Sequence, residues 1–582
     1  MNHNSIDAAH GTAAAGTSPA AGPGARRPAV AARVEAAYRR IAEVDRPEIW
    51  IALRDKDHAL AEAEAVESRL AAGEDLPLAG RLVAVKDNID VAALPTTAAC
   101  PSFAYTPDRD ATAVARLRAA GAIVLGKTNL DQFATGLVGT RSPYGPVRSA
   151  ADPALISGGS SSGSAVAVAL GITDLALGTD TAGSGRVPAA LNGLIGIKAS
   201  LGLIPVDGVV PACPSYDCLT VFAPDLGAAT EAMRIMSGPC ETDPASRPWP
   251  TDLPLAAPPN ARVAVPRAAA LAGLDPDFLP LWEAALATFR TAGVELVPID
   301  VQPLLDAALL LYEGALIAER HAAFGAHIDA WPADADPTVA QIVAGAGKFT
   351  AADLVADQQA LRAAQQHAAV LLTGFDALVL PTAPLHPTLA DVAADPIGVN
   401  AAMGTYTNFV NLLDMAAVAL PAGNAGTKGF GISVIVPAFH DQIAIDLAAR
   451  AAGEPPALFA PAEAELVVFG AHLTGFPLNH QLTDLGARLA GEVATAPAYR
   501  MYELATEPPK PLVVRSGDGA SLPGERWLLS PAALGRFLAA LPAPMTLGKV
   551  ELADGTWATG FVANEPAGED ITAVGGWRAR RA

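Results

Sequence analysis

Ala111-Thr-Ala-Val-Ala-Arg-Leu-Arg-Ala-Ala120-Gly121-Ala122-Ile-Val-Leu125-Gly126-Lys127-Thr128 admits two readings, and the choice between them decides the fold. Its second half spells G-x-x-x-x-G-K-T, the expression of a phosphate-binding loop. That device needs a flexible loop after a strand, with backbone N–H groups turned toward phosphate. Here the four middle residues are apolar and β-prone, and an amphipathic helix from Ala111 to Ala120 precedes them. A strand cannot cradle a phosphate, so the stretch reads as helix, turn at Gly121 and buried strand.

The same grammar extends outward. Upstream, Leu82-Val-Ala-Val85 is a short apolar run ending in Lys86-Asp87-Asn88, as a buried strand that delivers polar residues at its end. From Pro28 to Leu70 the pattern is helical, with Val34, Ala37, Tyr38 and Ile41 at i, i+3, i+4, i+7. Downstream, Ala165 to Leu170 reads as a helix of small residues and Leu175-Ala-Leu177 as a strand. Short strands alternating with helices predict an α/β fold, a sheet covered by helices on both faces.

Gly453 to Glu465 holds three prolines and no period, and is the clearest boundary in the chain. It is expected to be a linker, residues 453–465, between one domain over 30–452 and a second over 466–582. In the second, Leu466-Val-Val-Phe469 is strand-like. Val550 to Val562 alternates as a hairpin does, with Asp554-Gly555 at its turn. Residues 1–29, rich in Ala, Gly, Thr and Pro, lack the apolar core of a signal peptide and read as a disordered tail.

Composition narrows the function. Of 582 residues, 51% are hydrophobic and 17% charged, which permits a large core and excludes wholesale disorder. Acidic residues outnumber basic ones by 60 to 39, a net charge of -21, so no nucleic-acid partner is expected. Small residues interrupt every apolar run before it reaches the roughly 20 residues of a membrane span, which predicts a soluble, cytoplasmic protein without a membrane partner. Cys100, Cys213, Cys218 and Cys240 form no C-x-x-C pair and have no histidine at ligand spacing, so no metal site is expected.

Gly159-Ser-Ser161-Ser-Gly163 matches the G-x-S-x-G nucleophile elbow, but that device needs a strand running straight into it and a partner His. Asp152-Pro-Ala-Leu-Ile-Ser157 reads instead as a loop. A better reading takes two glycine-serine loops together, Ser157-Gly-Gly-Ser160-Ser-Ser-Gly-Ser164 and Gly178-Thr-Asp-Thr-Ala-Gly-Ser184-Gly-Arg186. Small residues let backbone approach a substrate closely, and successive N–H groups form a concavity for an anion or a transient oxyanion.

With Lys86 at its strand end, these loops resemble the amidase signature family in order and spacing. The separation is 74 positions from Lys86 to Ser160 and 24 from Ser160 to Ser184, and the likeness spans roughly residues 30 to 450. It implies a mixed sheet and a Ser-Ser-Lys triad, with Ser184 as nucleophile, Ser160 (its peptide bond cis) as relay and Lys86 as base. Thr181, Ala182 and Gly183, with Ser184, would supply the oxyanion hole. The chemistry is coherent: a serine hydroxyl needs a neighbour to remove its proton, and neutral lysine does so when burial lowers its pKa.

Two further segments resemble the allophanate hydrolases of that family: Asn129-Leu-Asp-Gln-Phe133-Ala-Thr-Gly136-Leu-Val-Gly139-Thr-Arg141 and Leu311-Tyr312-Glu-Gly-Ala-Leu-Ile-Ala-Glu319-Arg320. The likeness implies allophanate as substrate, bound by Tyr312, Arg320 and Gly136. Allophanate is a small anion with little apolar surface, so charge-assisted bonds must recognise it. Tyr312 and Arg320 stand eight apart, about two helical turns, and are expected on one face of a helix. No cofactor is implied. A homodimer follows from the same likeness, and a functional link to a urea carboxylase from the logic of the pathway.

Leu466 to Leu482 resembles the opening of the γ-glutamyl-cyclotransferase-like fold, a small α+β barrel, although Phe537 to Pro544 lacks the carboxylate those enzymes use. His472 is the candidate acid/base there, with Glu525 and His480 as weaker ones. Three other readings compete: a broad-specificity amidase, the A component of an amidotransferase, and a non-catalytic binding protein on an amidase fold.

Overall fold

In the computed structural model, Thr112–Ala119 is α-helical and Ile123–Thr128 is a strand buried along its whole length. The Gly126 Cα lies against the neighbouring strand, where a Cβ would come within 2.5 Å of the Ala52 carbonyl oxygen. Nothing there is free to wrap a phosphate. The structure describes residues 29–330, 332–541 and 545–581. The expected disordered tail lies outside the described residues apart from Ala29.

Eleven strands form one sheet: β1 (Trp50–Leu53), β2 (Leu82–Lys86), β3 (Ile123–Thr128), β4 (Leu175–Asp180), β5 (Ile195–Lys198), β6 (Cys218–Ala223), β7 (Arg262–Pro266), β8 (Glu295–Ile299), β9 (Ala377–Pro381), β10 (Met415–Ala425) and β11 (Lys428–Pro437). Their order is β1-β3-β2-β4-β6-β5-β10-β11-β9-β7-β8. Pairing is parallel across β3-β2-β4 and β9-β7-β8 and antiparallel elsewhere, which makes the sheet mixed.

Strand periodicity assigns the faces. Val83, Val85, Leu177, Val221 and Val418 share one core with the helices Leu226–Met236, Leu279–Thr291 and Asp441–Ala452. Ala84, Ala176, Phe222 and Ala419 point the other way and pack with the helix Ser162–Ala169. Lys86 has the parity of Ala84, so β2 carries it to the face on which the glycine-serine loops stand.

The helical reading of 28–70 is corrected. Two helices, Val30–Val44 and Lys56–Ala71, flank a short turn and β1, which pairs antiparallel with β3. Asp45 closes the first helix in the left-handed region at φ 47°, and Pro47 follows two residues later. A helix cannot run through that combination.

The expected linker is docked rather than free. Gly453 caps the helix Asp441–Ala452, while Phe459 is buried and the Phe459 and Ala460 amides donate to Gln442 Oε1 at 2.7 and 3.2 Å. Beyond it lie a five-stranded sheet, from strands beginning at Ala464, Arg488, Pro523, Leu547 and Trp557, and a three-stranded sheet over 499–515 and 569–570. The hairpin turn at Asp554-Gly555 joins Leu547–Glu551 to Trp557–Phe561 as expected. Among the described residues no single helix is long and apolar enough to cross a membrane.

Candidate active site

Lys86 is the last residue of β2 and is fully buried. Its Nζ donates to Ser160 Oγ and to Thr179 Oγ1, both at 2.7 Å. Burial pushes its pKa down to about 7, against the opposing pull of Asp131, Asp217 and Asp180. The Gly159–Ser160 peptide bond is cis, and the Ser160 carbonyl accepts the Asp131 amide at 3.1 Å.

Ser184 lies in the loop after β4, buried, with Oγ 3.5 Å from the Gly136 carbonyl oxygen. A buried ion pair shapes this loop. Asp180, ending β4, accepts the Gly183 amide at 2.9 Å, the Gly185 amide at 3.0 Å and two bonds from Arg186 at 2.9 and 2.8 Å. Burial alone would raise its carboxyl, but the Arg186 guanidinium, Lys198 and the Gly185 amide together hold it below the usual carboxylate range. Arg186 reaches on to the Thr407 carbonyl and Asn411 Oδ1, and Thr407 Oγ1 donates to the Ala182 carbonyl at 2.7 Å.

The loop amides expected as oxyanion donors differ in their hydrogen bonding. The Gly183 N–H is committed to Asp180, whereas the N–H groups of Thr181, Ala182 and Ser184 meet no acceptor among the described residues. The Thr181 hydroxyl donates to Asp217, a buried carboxyl pushed up to about 6 by desolvation.

Lys127, the lysine of the false phosphate loop, is buried beside this site in an ion pair with Asp87 at 3.2 Å, and donates to Thr96 Oγ1 at 2.9 Å. It stabilises the strand ends and does not contact Ser160.

Tyr312 and Arg320 come together, but not on one regular helix. The helix Leu310–Glu313 stops at Gly314, whose backbone is extended, and the chain resumes as Ala315–Ile317 and Ala318–Arg320. The Ala315 amide freed by the break donates to Asp357 at 2.6 Å. Arg320 is completely buried with its Cζ 4.6 Å from the Tyr312 ring centroid. Its Nε, Nη1 and Nη2 have no hydrogen-bond partner among the described residues. Tyr312 also lines a cavity of about 770 Å³, with Arg141, Asn400 and Asn408. Gly136 packs against Asp131, whose carboxylate gathers the amides of Val138, Gly139 and Arg141 at 3.2, 2.9 and 2.9 Å.

In the C-terminal part His472 is buried, its Nε2 3.0 Å from Gln481 Oε1 and its ring stacked on Phe561 at 5.2 Å. Burial holds its imidazole below the usual pKa. Phe537, where cyclotransferases would need a carboxylate nearby, gives His472 an edge-on ring at 5.1 Å. Glu525 is buried and tied to Thr474, Trp527 and Arg578, and His480 is exposed with Nδ1 on the Pro477 carbonyl. Among the described residues no three His, Cys, Asp or Glu side chains are grouped to hold a metal ion.

Sequence reasoning gave no role to Asp131, Thr179, Asp180, Arg186 or Asp217. Asp131, Asp180 and Arg186 stand inside the quoted segments, so their positions were visible and their pairing was not. Asp217 and Asn411 carry no local signal, because only the fold brings them to the loop.

The amidase family model matches residues 32–443, and the allophanate hydrolase C-terminal domain model matches residues 464–582. The latter description does not support the cyclotransferase likeness read from Leu466 to Leu482. The chain is 41% identical over 569 residues to urea amidolyase of Saccharomyces cerevisiae, covering 91% of this chain but only 31% of that protein. The solved structure of Kluyveromyces lactis allophanate hydrolase superposes with a TM-score of 0.85 at 38% identity, covering 95% of this chain and 96% of the other. The A component of the glutamyl-tRNA(Gln) amidotransferase of Thermus thermophilus is 34% identical over 444 residues, 70% of this chain and 90% of its own.

Proposed function

The chain belongs to the amidase family, and from that premise we propose that it is an allophanate hydrolase, releasing ammonia and carbon dioxide in urea degradation. The observation that carries the choice of substrate is Arg320, a buried guanidinium beside Tyr312 whose three nitrogens meet no acceptor among the described residues. A buried cation without a protein acceptor is costly, and a carboxylate satisfies it. The allophanate hydrolase relative and the C-terminal match support the same reading.

In the proposed reaction neutral Lys86 takes the Ser184 proton by way of Ser160. Ser184 Oγ bonds to the terminal amide carbon, and negative charge on its oxygen is met by the amides of Thr181, Ala182 and Ser184. The C–N bond breaks, ammonia leaves with the relayed proton, and water then cleaves the acyl–Ser184 bond. The product is a nitrogen bearing two carboxylates, held at its far end by Tyr312 and Arg320 with Gly136 lining the site. The C-terminal part, with His472 as acid/base, would act on that product. The cytoplasm as location, a homodimer and cooperation with a urea carboxylase complete the reading.

Ser184→Ala is expected to abolish ammonia release from allophanate. Full retained activity would overturn the proposal. The A component of an amidotransferase is the second reading, favoured by the Thermus thermophilus likeness over the amidase part alone. Comparing ammonia release from allophanate and from uncharged aliphatic amides separates the two.

A further inference from the structure

Gln132 and Phe133, two residues to which the proposed reaction gives no part, lie in the loop that follows β3. That loop touches both serines: the Asp131 amide donates to the Ser160 carbonyl, and the Gly136 carbonyl lies 3.5 Å from Ser184 Oγ. Phe133 and Ala134 sit at φ 51° and 52°, a left-handed backbone that side-chain-bearing residues rarely adopt and that surroundings must enforce.

What enforces it is the arm carrying Arg320. The Phe133 ring stacks on Phe324 at 4.3 Å with planes 7° apart, and Phe324 lies four residues beyond Arg320 on a π-helical turn, His321–Gly325. Such turns recur at functional sites. Phe133, Phe324, Ile328, Val339 and Val343 form an apolar cluster separate from the sheet cores, so the arm's underside rests on this loop. Gln132 adds polar ties. Its Nε2 donates to the carbonyls of Ala99 and Asp334, both at 2.8 Å, and its Oε1 accepts the Asp336 amide at 2.7 Å.

We infer that Phe133 and Gln132 are positioning residues that fix the carboxylate-binding arm relative to the nucleophile. The inference rests on the proposed allophanate hydrolysis. One loop sets both the serine pair and, through the stack, the height of the Arg320 guanidinium. Since small misplacements of a binding group cost large factors in turnover or binding, the coupling has kinetic consequences.

The test uses the full chain with Phe133→Leu, Phe324→Leu, the double variant and Gln132→Glu. Ammonia release from allophanate is measured alongside the rate at which a small fluorophosphonate labels Ser184. Each variant is expected to raise KM about 10-fold, with kcat and labelling nearly unchanged. The double variant should be no worse than the poorer single one, because both remove the same stack. Phe133→Tyr should restore the KM. An unmoved KM, additive effects, or parallel losses in kcat, labelling and KM would overturn the inference. If the unaltered chain released no ammonia from allophanate, the functional reading would fail and this one with it.

Discussion

An amine is a base only while neutral, and at Lys86 the surroundings set that fraction. With its pKa pushed down to about 7, the neutral form gains as pH rises through that value and is lost below it. We therefore expect kcat/KM for allophanate to rise along a one-proton limb near pH 7, then level off, in an ammonia-release profile. Lys86→Arg, which stays protonated, should lower the plateau by roughly 10²–10⁴-fold. Arg320 acts instead by complementarity of charge. Arg320→Ala should raise KM for allophanate by roughly 10–100-fold, the worth of a charge-assisted bond, and leave uncharged amides untouched. Steady-state kinetics on both substrates decides it.

At the scale of elements, the helix Ser162–Ala169 shows why small residues stand where they do. Ser164 Oγ donates to the Leu177 carbonyl at 2.8 Å and lies 2.7 Å from Thr128 Oγ1, so the helix sits directly on the sheet. A Cβ on Gly163 would come within 2.4 Å of the Ile49 carbonyl oxygen and 2.8 Å of the Asn129 amide nitrogen. Gly163→Ala should destabilise the fold by roughly 1–3 kcal/mol and slow acylation, since it displaces the turn that presents Ser160. A thermal melt and a single-turnover assay check both. Helix, turn and strand over 111–128 were legible because burial follows a simple period. The break at Asp45 carried a local signal in Pro47, which the helical period of 28–70 overrode, whereas the break at Gly314 depends on a partner distant in sequence, Asp357.

At the scale of the whole molecule, the two parts are fastened together. Arg488, in the C-terminal sheet, pairs with buried Asp446 and donates to the Leu255 carbonyl at 2.7 Å, while the Leu255 amide donates to the Gly486 carbonyl at 2.8 Å. A chain ending after Pro461, which keeps Phe459 and Ala460 on Gln442, is therefore a better truncation than one ending at Gly453. We expect it to release the first ammonia from allophanate and to stall before full carbon dioxide release, as paired ammonia and carbon dioxide measurements would register. The amino-acid order alone determined the α/β alternation and put Lys86 at a strand end and Ser160 and Ser184 in loops of small residues. These depend on local period and on small residues, which can be counted along the chain. Only the tertiary structure decided how deeply Lys86 is desolvated and that, among the described residues, some loop amides and the Arg320 guanidinium meet no acceptor. Each of those is a property of residues far apart in the chain, and burial and pairing exist only once the chain has closed around them.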